Sequence, residues 1–168
     1  PYLVEAGLIE PDLDDPNSFL IKATGERANL EYLKKIVAYQ QPRLKRLGEI
    51  VDLADYFFAG KVNLEIGLLK WKDATPQDIK SSLDELINLV SKIEEGEWGR
   101  EKIEQAILPA AETFSKRINK AGLDRGYLLW PMRAALSGKK MSLGPFEIAD
   151  VLGKEKTLLR LSDASKLV

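Results

Sequence analysis

Two adjacent lysines stand in a glycine-bounded turn near the end of the chain, an arrangement that suits the binding of phosphate groups. Lys139 and Lys140 follow Gly138, and Gly144 closes the turn. A tight turn of this kind exposes backbone N–H groups beside two ammonium groups, and together they neutralise and hydrogen-bond phosphate oxygens. From the turn alone, a helix-turn-helix corner whose lysines only face solvent is the simpler interpretation.

The stretch that contains this turn is positively charged within a nearly neutral chain. Residues 122–161 carry seven cations and four anions, whereas the whole chain of 168 residues has a formal net charge of -1. A local positive field of this kind favours a polyanionic partner. Residues 78–104 have the opposite balance, with eight acidic and four basic side chains. We therefore exclude that acidic face as a nucleic-acid surface.

A second cationic cluster lies earlier in the chain. Every charge from Tyr32 through Gly48 is positive, and the cations are Lys34, Lys35, Arg43, Lys45 and Arg46. Arginine can donate two hydrogen bonds in a fixed fork to the edge of an unstacked base, which lysine cannot do. A cationic helix face with apolar residues opposite is also the pattern of an ordinary solvated surface, so both interpretations stay open on this evidence.

The composition excludes several kinds of catalytic and metal site. The chain has no cysteine and no histidine, which removes disulfides, thiolate metal sites, the usual zinc ligand and the Ser-His-Asp and Cys-His arrangements. Adjacent carboxylates such as Glu94 and Glu95 lie in predicted turns and do not share a helix face, so an enzyme built on carboxylate pairs has little support. No apolar run reaches a membrane span. Because the chain starts at Pro1 without a methionine, we expect a piece of a longer protein.

Proline and glycine signals predict two short helices on either side of the basic turn. Pro131 should open the first, and Gly138 should close it in a left-handed conformation. Pro145 should open the second, and Gly153 should close it. Upstream, Pro42 predicts the start of another helix.

The remaining elements predict an all-α fold. Thr75, Pro76 and Asp78 form a helix start with a capping box, and Pro109 should kink or split a later helix. Trp71 is interpreted as a packing anchor between helical layers, and no segment shows convincing strand alternation. We expect two small helical subdomains: a connector at 1–25, a first subdomain at 26–73 and a second at 74–168.

A resemblance adds to these residue patterns. The string LLWPMRAALSGKKMSLGPFEIADVLGKEKTLLRL resembles the C-terminal anticodon-binding region of bacterial glutamyl-tRNA synthetases, with its W/H-P-L-R-x-A-L-[ST]-G, S/T-P-G-x-F-E and L-G-K-E-x-x-L-x-R-L segments. A weaker similarity reaches back to about residue 28 and includes YLKKIVAYQQPRLKRLGEIVDLADYFF. The KKMS string also resembles the K-M-S-K-S loop of class I synthetases. We interpret it as coincidence, because Leu143 and Gly144 replace the last two residues and the histidines of the companion motif do not exist.

The resemblance implies a non-catalytic, helical anticodon-binding region of a cytoplasmic glutamate–tRNA ligase. It implies tRNA(Glu) as the partner, with no DNA, no membrane and a monomeric state. It also implies that this stretch holds no cofactor, and that ATP and Mg²⁺ belong to an N-terminal catalytic domain. The alternative is a helical protein-interaction module without RNA binding, which would use the acidic face to dock a partner.

The same resemblance assigns the residues expected to contact tRNA. Arg43 stands where the family places a base-reading arginine, and Arg133 stands at the arginine of the P-L-R motif. For Arg133, an ion pair with Glu147 or Asp150 is an equally good interpretation. Leu143 departs from the usual proline, which should make the turn less rigid. The full set of expected tRNA contacts is Arg43, Arg46, Arg133, Lys139, Lys140, Ser142, Gly144 and Phe146.

Overall fold

Helices dominate the structure, a computed structural model that describes residues 1–168. The chain divides into two compact units, Pro1–Lys61 and Val62–Val168. The first unit contains helices α1 (Tyr2–Glu5), α2 (Leu30–Gln40) and α3 (Ile50–Phe58) and a small sheet. The second contains α4 (Pro76–Ser91), α5 (Arg100–Arg117), α6 (Gly126–Ser137) and α7 (Pro145–Ser165). The predicted helical fold class is therefore confirmed. No helix combines the length and apolar character needed to cross a membrane.

The expectation of no strands was wrong for the first thirty residues. Three antiparallel strands, β1 (Ile9–Pro11), β2 (Ser18–Ile21) and β3 (Arg27–Asn29), form a sheet in sequential order. Ile9 pairs with Ile21, and Phe19 pairs with Ala28. Strands of three or four residues are too short to show the alternation that identifies a strand in a sequence.

The acidic residues of this segment stabilise the turns of the sheet. Buried Asp12 accepts a hydrogen bond from the Ser18 hydroxyl at 2.8 Å, and its carboxylate lies 2.6 Å from the Arg27 guanidinium. The backbone N–H of Asp14, followed by the Ser18 hydroxyl, holds the pKa of Asp12 below its ordinary value. The acidity that suggested a connector therefore has a structural use within the first unit.

Helix α3 begins at Ile50, several residues later than the predicted start at Pro42. Residues Gln41–Arg43 form a single 3₁₀ turn, after which Leu44 is extended. The Glu49 carboxylate accepts the N–H groups of Lys45 and Arg46 at 2.9 and 3.4 Å, so it bonds backbone donors that a continuous helix would have used. Proline therefore opened only one turn here, because the residues that follow it have no buried face to extend.

The second unit is a four-helix arrangement built on local start signals and buried stripes. Thr75 and Asp78 form the predicted capping box of α4, which buries Ile79, Leu83, Leu86 and Val90. Helix α5 follows Gly99 and continues through Pro109 without splitting. The chain of α7 begins at Pro145 and is interrupted at Gly153, where φ is 81° and ψ is 167°. The predicted helix start at Pro145 and the predicted helix end at Gly153 are confirmed.

Helix α6 begins at Gly126, so the predicted start at Pro131 was wrong. The Asp124 carboxylate accepts the Gly126 N–H at 2.8 Å and the Trp71 indole N–H at 3.1 Å. The hydrogen bond from Gly126 to Asp124 therefore fixes a helix start before Pro131, and Pro131 lies inside the helix. Trp71 packs against Trp130 with ring centroids 5.0 Å apart, which confirms its interpretation as a packing anchor.

A charged cluster connects the beginning of α4 to the segment between α5 and α6. The Lys120 ammonium lies 3.1 Å from the Asp78 carboxylate and 3.3 Å from the Asp73 carboxylate. The Tyr127 hydroxyl donates a hydrogen bond to the Asp73 carboxylate. The Tyr127 hydrogen bond lowers the pKa of Asp73. For Asp78, burial acts to raise the pKa, but the Thr75 N–H and Lys120 outweigh it and the net shift is downward. The Asp78 hydrogen bond raises the pKa of Lys120.

We expect the stability conferred by this cluster to fall as the pH drops below about 5. The pKa values of Asp73 and Asp78 lie below their ordinary value of 3.8 in the folded chain. Their contribution is therefore complete well above that value, begins to decrease near pH 5 and is lost as the pH falls through the lowered folded values. In alkali the raised pKa of Lys120 predicts a second loss, as the pH rises through its folded value. Thermal unfolding at a series of pH values measures both the acid and the alkaline loss of stability.

The matched variant for this experiment is Lys120→Met, which keeps the aliphatic stem and removes the charge. Its melting temperature should depend less steeply on acid pH than that of the parent chain, because Asp73 and Asp78 then lose a partner that favours their charged forms. If the melting temperature of the variant depends on acid pH as steeply as that of the parent chain, this account of the cluster is wrong.

Candidate nucleic-acid interface

The basic turn, residues 138–144, connects α6 to α7 and is anchored from both ends. Gly138 adopts φ 65° and ends α6 in the predicted left-handed conformation. The Ser137 hydroxyl accepts the Lys139 N–H at 3.2 Å and donates to the Arg133 carbonyl at 2.8 Å. Leu143 is only 7% exposed, so its side chain anchors the far end of the turn in the core. The buried Leu143 side chain thus holds the far end of this turn.

The middle of the basic turn faces solvent. The Lys140 side chain is exposed and makes no ion pair, and the neighbouring Met141 is 77% exposed. Lys139 is partly buried, and the Ser142 hydroxyl donates to the Leu143 carbonyl at 3.0 Å. Of the two predicted phosphate-binding lysines, Lys140 is therefore the more accessible.

Arg133 projects from α6 beside the basic turn and is held on two sides. Its guanidinium lies 4.3 Å from the centroid of the Trp130 ring and donates to the Lys140 carbonyl at 3.0 Å. The Trp130 indole N–H donates to the Leu68 carbonyl at 2.8 Å, so the aromatic platform is itself fixed. Cation–π stacking suits a planar guanidinium. The structure thus brings Arg133 and Lys140 together at one surface.

Glu147 forms its ion pair with Arg100, at 2.8 Å, and not with Arg133. A Cβ at Gly144 would collide with the Glu147 carboxylate, so the absence of a side chain at Gly144 leaves room for this acid at the start of α7. A carboxylate in the first turn of a helix interacts favourably with the helix dipole. Of the two acids named as alternative partners for Arg133, Glu147 is thus paired elsewhere, and the alternative with Asp150 stays open.

Phe146 and three of the counted cations lie in contacts within the protein. The Phe146 side chain is 8% exposed and packs in the core, directly after the basic turn. Lys154 donates to the Ile93 carbonyl at 2.6 Å, and Arg160 donates to the Leu136 carbonyl at 2.5 Å. Arg125 pairs with Glu112 at 2.7 Å. The positive charge available for a ligand is smaller than the sequence count indicated, and it is concentrated near the basic turn.

In the first unit, Arg43 ends the 3₁₀ turn and is partly buried. Its guanidinium donates to the side-chain carbonyl of Gln40 at 3.2 Å. Arg46 and Lys45 are exposed, and Lys34 pairs with Glu31 at 2.9 Å. The cationic cluster of this unit therefore contains one oriented, partly buried arginine and four exposed cations, Lys34, Lys35, Lys45 and Arg46.

Three glutamates give one groove of the second unit an acidic lining. A groove along α5 is lined by Glu101, Glu104, Gln105, Leu108, Pro109 and Glu112. A phosphate backbone is repelled by such a surface. The structure contains no group of three or more acidic, histidine or cysteine side chains arranged to hold a metal ion.

Sequence reasoning missed the supporting residues Gln40 and Trp130. Gln40 occupies the same stripe of α2 as buried Leu33 and Ile36, and that spacing was the available signal for a buried amide. Trp130 was interpreted only as the residue before a helix-opening proline. Its position one helical turn before Arg133 was the available signal for stacking.

Comparisons with known proteins place these surfaces in a family context. Residues 6–165 match the family described as the anticodon binding domain. The chain is 31% identical over its whole length to glutamate–tRNA ligase 1 of Caldanaerobacter subterraneus subsp. tengcongensis and to the glutamate–tRNA ligase of Moorella thermoacetica. It is 37% identical, over 75% of its length, to glutamate–tRNA ligase 2 of Rhodospirillum centenum. These comparisons give no support to a protein-interaction module without RNA binding.

A solved structure shares the fold. The crystal structure of a glutamate tRNA ligase from Elizabethkingia meningosepticum, in complex with its amino acid, superposes with a TM-score of 0.63 and 18% sequence identity. The match covers 83% of this chain and 25% of that one. The chain spans about 30% of the length of the Caldanaerobacter and Moorella relatives.

Proposed function

This chain belongs to the anticodon binding domain family, and on that basis we propose that it binds the anticodon loop of tRNA(Glu) for a glutamate–tRNA ligase. The observation that carries the proposal is the basic turn, where exposed Lys140 stands beside an arginine held on Trp130. Recognition of a single-stranded loop needs cations for the phosphates and planar donors for splayed bases. The chain offers both kinds of group.

In this proposal the cations divide into two roles. Lys140, Lys139 and the exposed Arg46 neutralise phosphates, which gives affinity without sequence information. Arg43 and Arg133 have guanidinium groups with fixed orientation, and these can donate to base edges. The small Ser142 allows the backbone of the basic turn to approach the loop closely, whereas the space beside Gly144 is taken by the Glu147 carboxylate.

The ligase reaction itself lies outside the role proposed for this chain. ATP and Mg²⁺ would bind to the catalytic region of the whole enzyme, and this chain would supply recognition. We propose tRNA as its partner, with no role in binding DNA, and a monomeric, cytoplasmic protein. The partner follows from the family, and the location follows from the place where tRNA is charged.

The experiment that tests the proposed function is a binding titration of the chain with tRNA(Glu) at two salt concentrations. The same tRNA with one anticodon base changed serves as the matched control ligand. Affinity should fall with salt by a log-log slope of about 0.7 for each phosphate contacted in a single-stranded loop. Binding that is absent, insensitive to salt, or equal for both tRNAs would contradict the proposal.

Arg43→Ala is expected to weaken binding of tRNA(Glu) about tenfold or more, because a good base contact contributes about 1–3 kcal/mol of discrimination. Binding of the tRNA with the changed base should be nearly unaffected. Lys140→Ala is the matched control, since it should weaken both tRNAs equally and reduce the salt slope by about 0.7. Equal losses on both tRNAs for Arg43→Ala would remove the base-reading role from Arg43.

A further inference from the structure

Gln40 is a fully buried polar side chain that lies between α3 and Arg43. Its exposed fraction is 0%, and it is the last residue of α2. Its amide nitrogen donates to the Leu53 carbonyl at 2.5 Å and to the Tyr56 hydroxyl at 3.3 Å. Its amide oxygen accepts the Arg43 guanidinium at 3.2 Å. Both ends of a single buried amide are therefore satisfied, one by α3 and the other by Arg43.

The orientation of this amide is determined by its partners. The Leu53 carbonyl can only accept a hydrogen bond, so the NH₂ group must point toward α3. The amide oxygen is then left facing the 3₁₀ turn Gln41–Arg43. Residues three apart lie on one side of such a turn, which brings Arg43 over Gln40. A buried amide is costly to leave unpaired, so this geometry resists rearrangement.

We propose that Gln40 is a positioning residue that orients the Arg43 guanidinium before RNA binds, and so sets how well the chain discriminates between anticodon bases. This inference rests on the proposed function. A free arginine samples many rotamers, and a guanidinium held through one N–H keeps its other donors in a fixed fork. Recognition of a base edge depends on that fork, whereas neutralisation of a phosphate does not.

Methionine and glutamate, which are similar in size to glutamine, do not reproduce both contacts. Methionine has nearly the volume of glutamine but offers neither a donor to Leu53 nor a strong acceptor to Arg43. Glutamate would accept from Arg43 but could not donate to the Leu53 carbonyl when ionised. The amide is thus matched to a site that needs a donor on one side and an acceptor on the other.

The test measures the ratio of affinities for tRNA(Glu) and for the tRNA with one changed anticodon base. Gln40→Met should lower this ratio about three- to tenfold, mostly through weaker binding of tRNA(Glu). Tyr56→Phe is the matched structural control, because it removes one partner of the amide nitrogen and leaves the contact between Gln40 and Arg43 in place. It should lower the melting temperature and leave the ratio unchanged.

A double-mutant cycle separates positioning from general damage. In the Arg43→Ala background, Gln40→Met should cause no further loss of discrimination, because the group that it orients is gone. Suppose that Gln40→Met leaves the ratio of affinities unchanged, while Arg43→Ala makes the two affinities equal. The positioning role is then overturned and the proposed function stands. If Arg43→Ala itself leaves the ratio unchanged, both the base-reading role of Arg43 and the positioning role of Gln40 are overturned. If Tyr56→Phe lowers the ratio as much as Gln40→Met, the effect is structural and the inference is wrong.

Discussion

Replacing Gly138 by alanine is expected to destabilise the chain by about 3 kcal/mol and to weaken RNA binding at the same time. Gly138 has φ 65°, a left-handed conformation that costs an alanine about 1–2 kcal/mol. An added Cβ would also lie 2.9 Å from the Asn63 carbonyl oxygen and 3.2 Å from the Val62 Cβ. One of those neighbours is backbone, which cannot rotate away as a flexible side chain would.

The loss of binding follows from the position of Gly138 at the start of the basic turn. Relief of the contact with Asn63 requires the turn to shift, and Lys139 and Lys140 would shift with it. Thermal or denaturant unfolding measures the first effect, and the tRNA titration measures the second. Gly96→Ala is the matched control, since Gly96 is exposed, has no positive φ and would place its Cβ in open space. A Gly138→Ala chain as stable as this control would contradict the packing described here.

The parts of the fold that sequence could predict are those whose signals are complete within a few residues. The capping box of Thr75 and Asp78 satisfies its own backbone donors, and Gly138 and Gly153 adopt conformations that other residues avoid. Pro145 likewise begins a helix at the position that its fixed φ favours. Local chemistry decides these positions, so the sequence reveals them.

The misplaced elements are those whose boundaries depend on distant partners. Helix α6 starts early because the Asp124 carboxylate, held by the Trp71 indole, accepts the Gly126 N–H. The strands depend on pairing across turns and on the contact between Asp12 and Arg27. Neither kind of contact is visible as a periodicity within one segment. The pattern at Pro131 therefore predicted a helix start that the contacts of Asp124 place earlier, at Gly126.

The candidate site shows the same division. A count of charges identified the basic turn correctly as a cationic segment, but it could not distinguish an exposed lysine from a buried arginine. Lys140 faces solvent, whereas Arg160 is only 6% exposed and bonds the Leu136 carbonyl of α6. Both residues count equally as cations in the sequence, and the packing of α7 on α6 separates their roles.

Arg160→Met is therefore expected to destabilise the chain by about 3 kcal/mol, although it removes a residue from a cationic stretch. A hydrogen bond from a charged donor contributes about 1.5–3 kcal/mol, and its loss leaves the buried Leu136 carbonyl without this donor near the end of α6. Methionine keeps part of the aliphatic packing, so most of the cost comes from the lost polar contacts of the guanidinium, including the hydrogen bond to Leu136.

The same substitution should leave the salt dependence of tRNA binding unchanged, because Arg160 is buried and touches no phosphate in the proposed function. Lys140→Met is the matched comparison: it should lower the salt slope by about 0.7 and hardly change the unfolding free energy. Denaturant unfolding and tRNA titration are measured on both variants. We expect Arg160→Met to lower the unfolding free energy and keep the salt slope, and Lys140→Met to lower the salt slope and keep the unfolding free energy. A reduced salt slope in Arg160→Met, measured where the variant is fully folded, would mean that Arg160 reaches the RNA and that the division between structural and phosphate-binding cations is wrong.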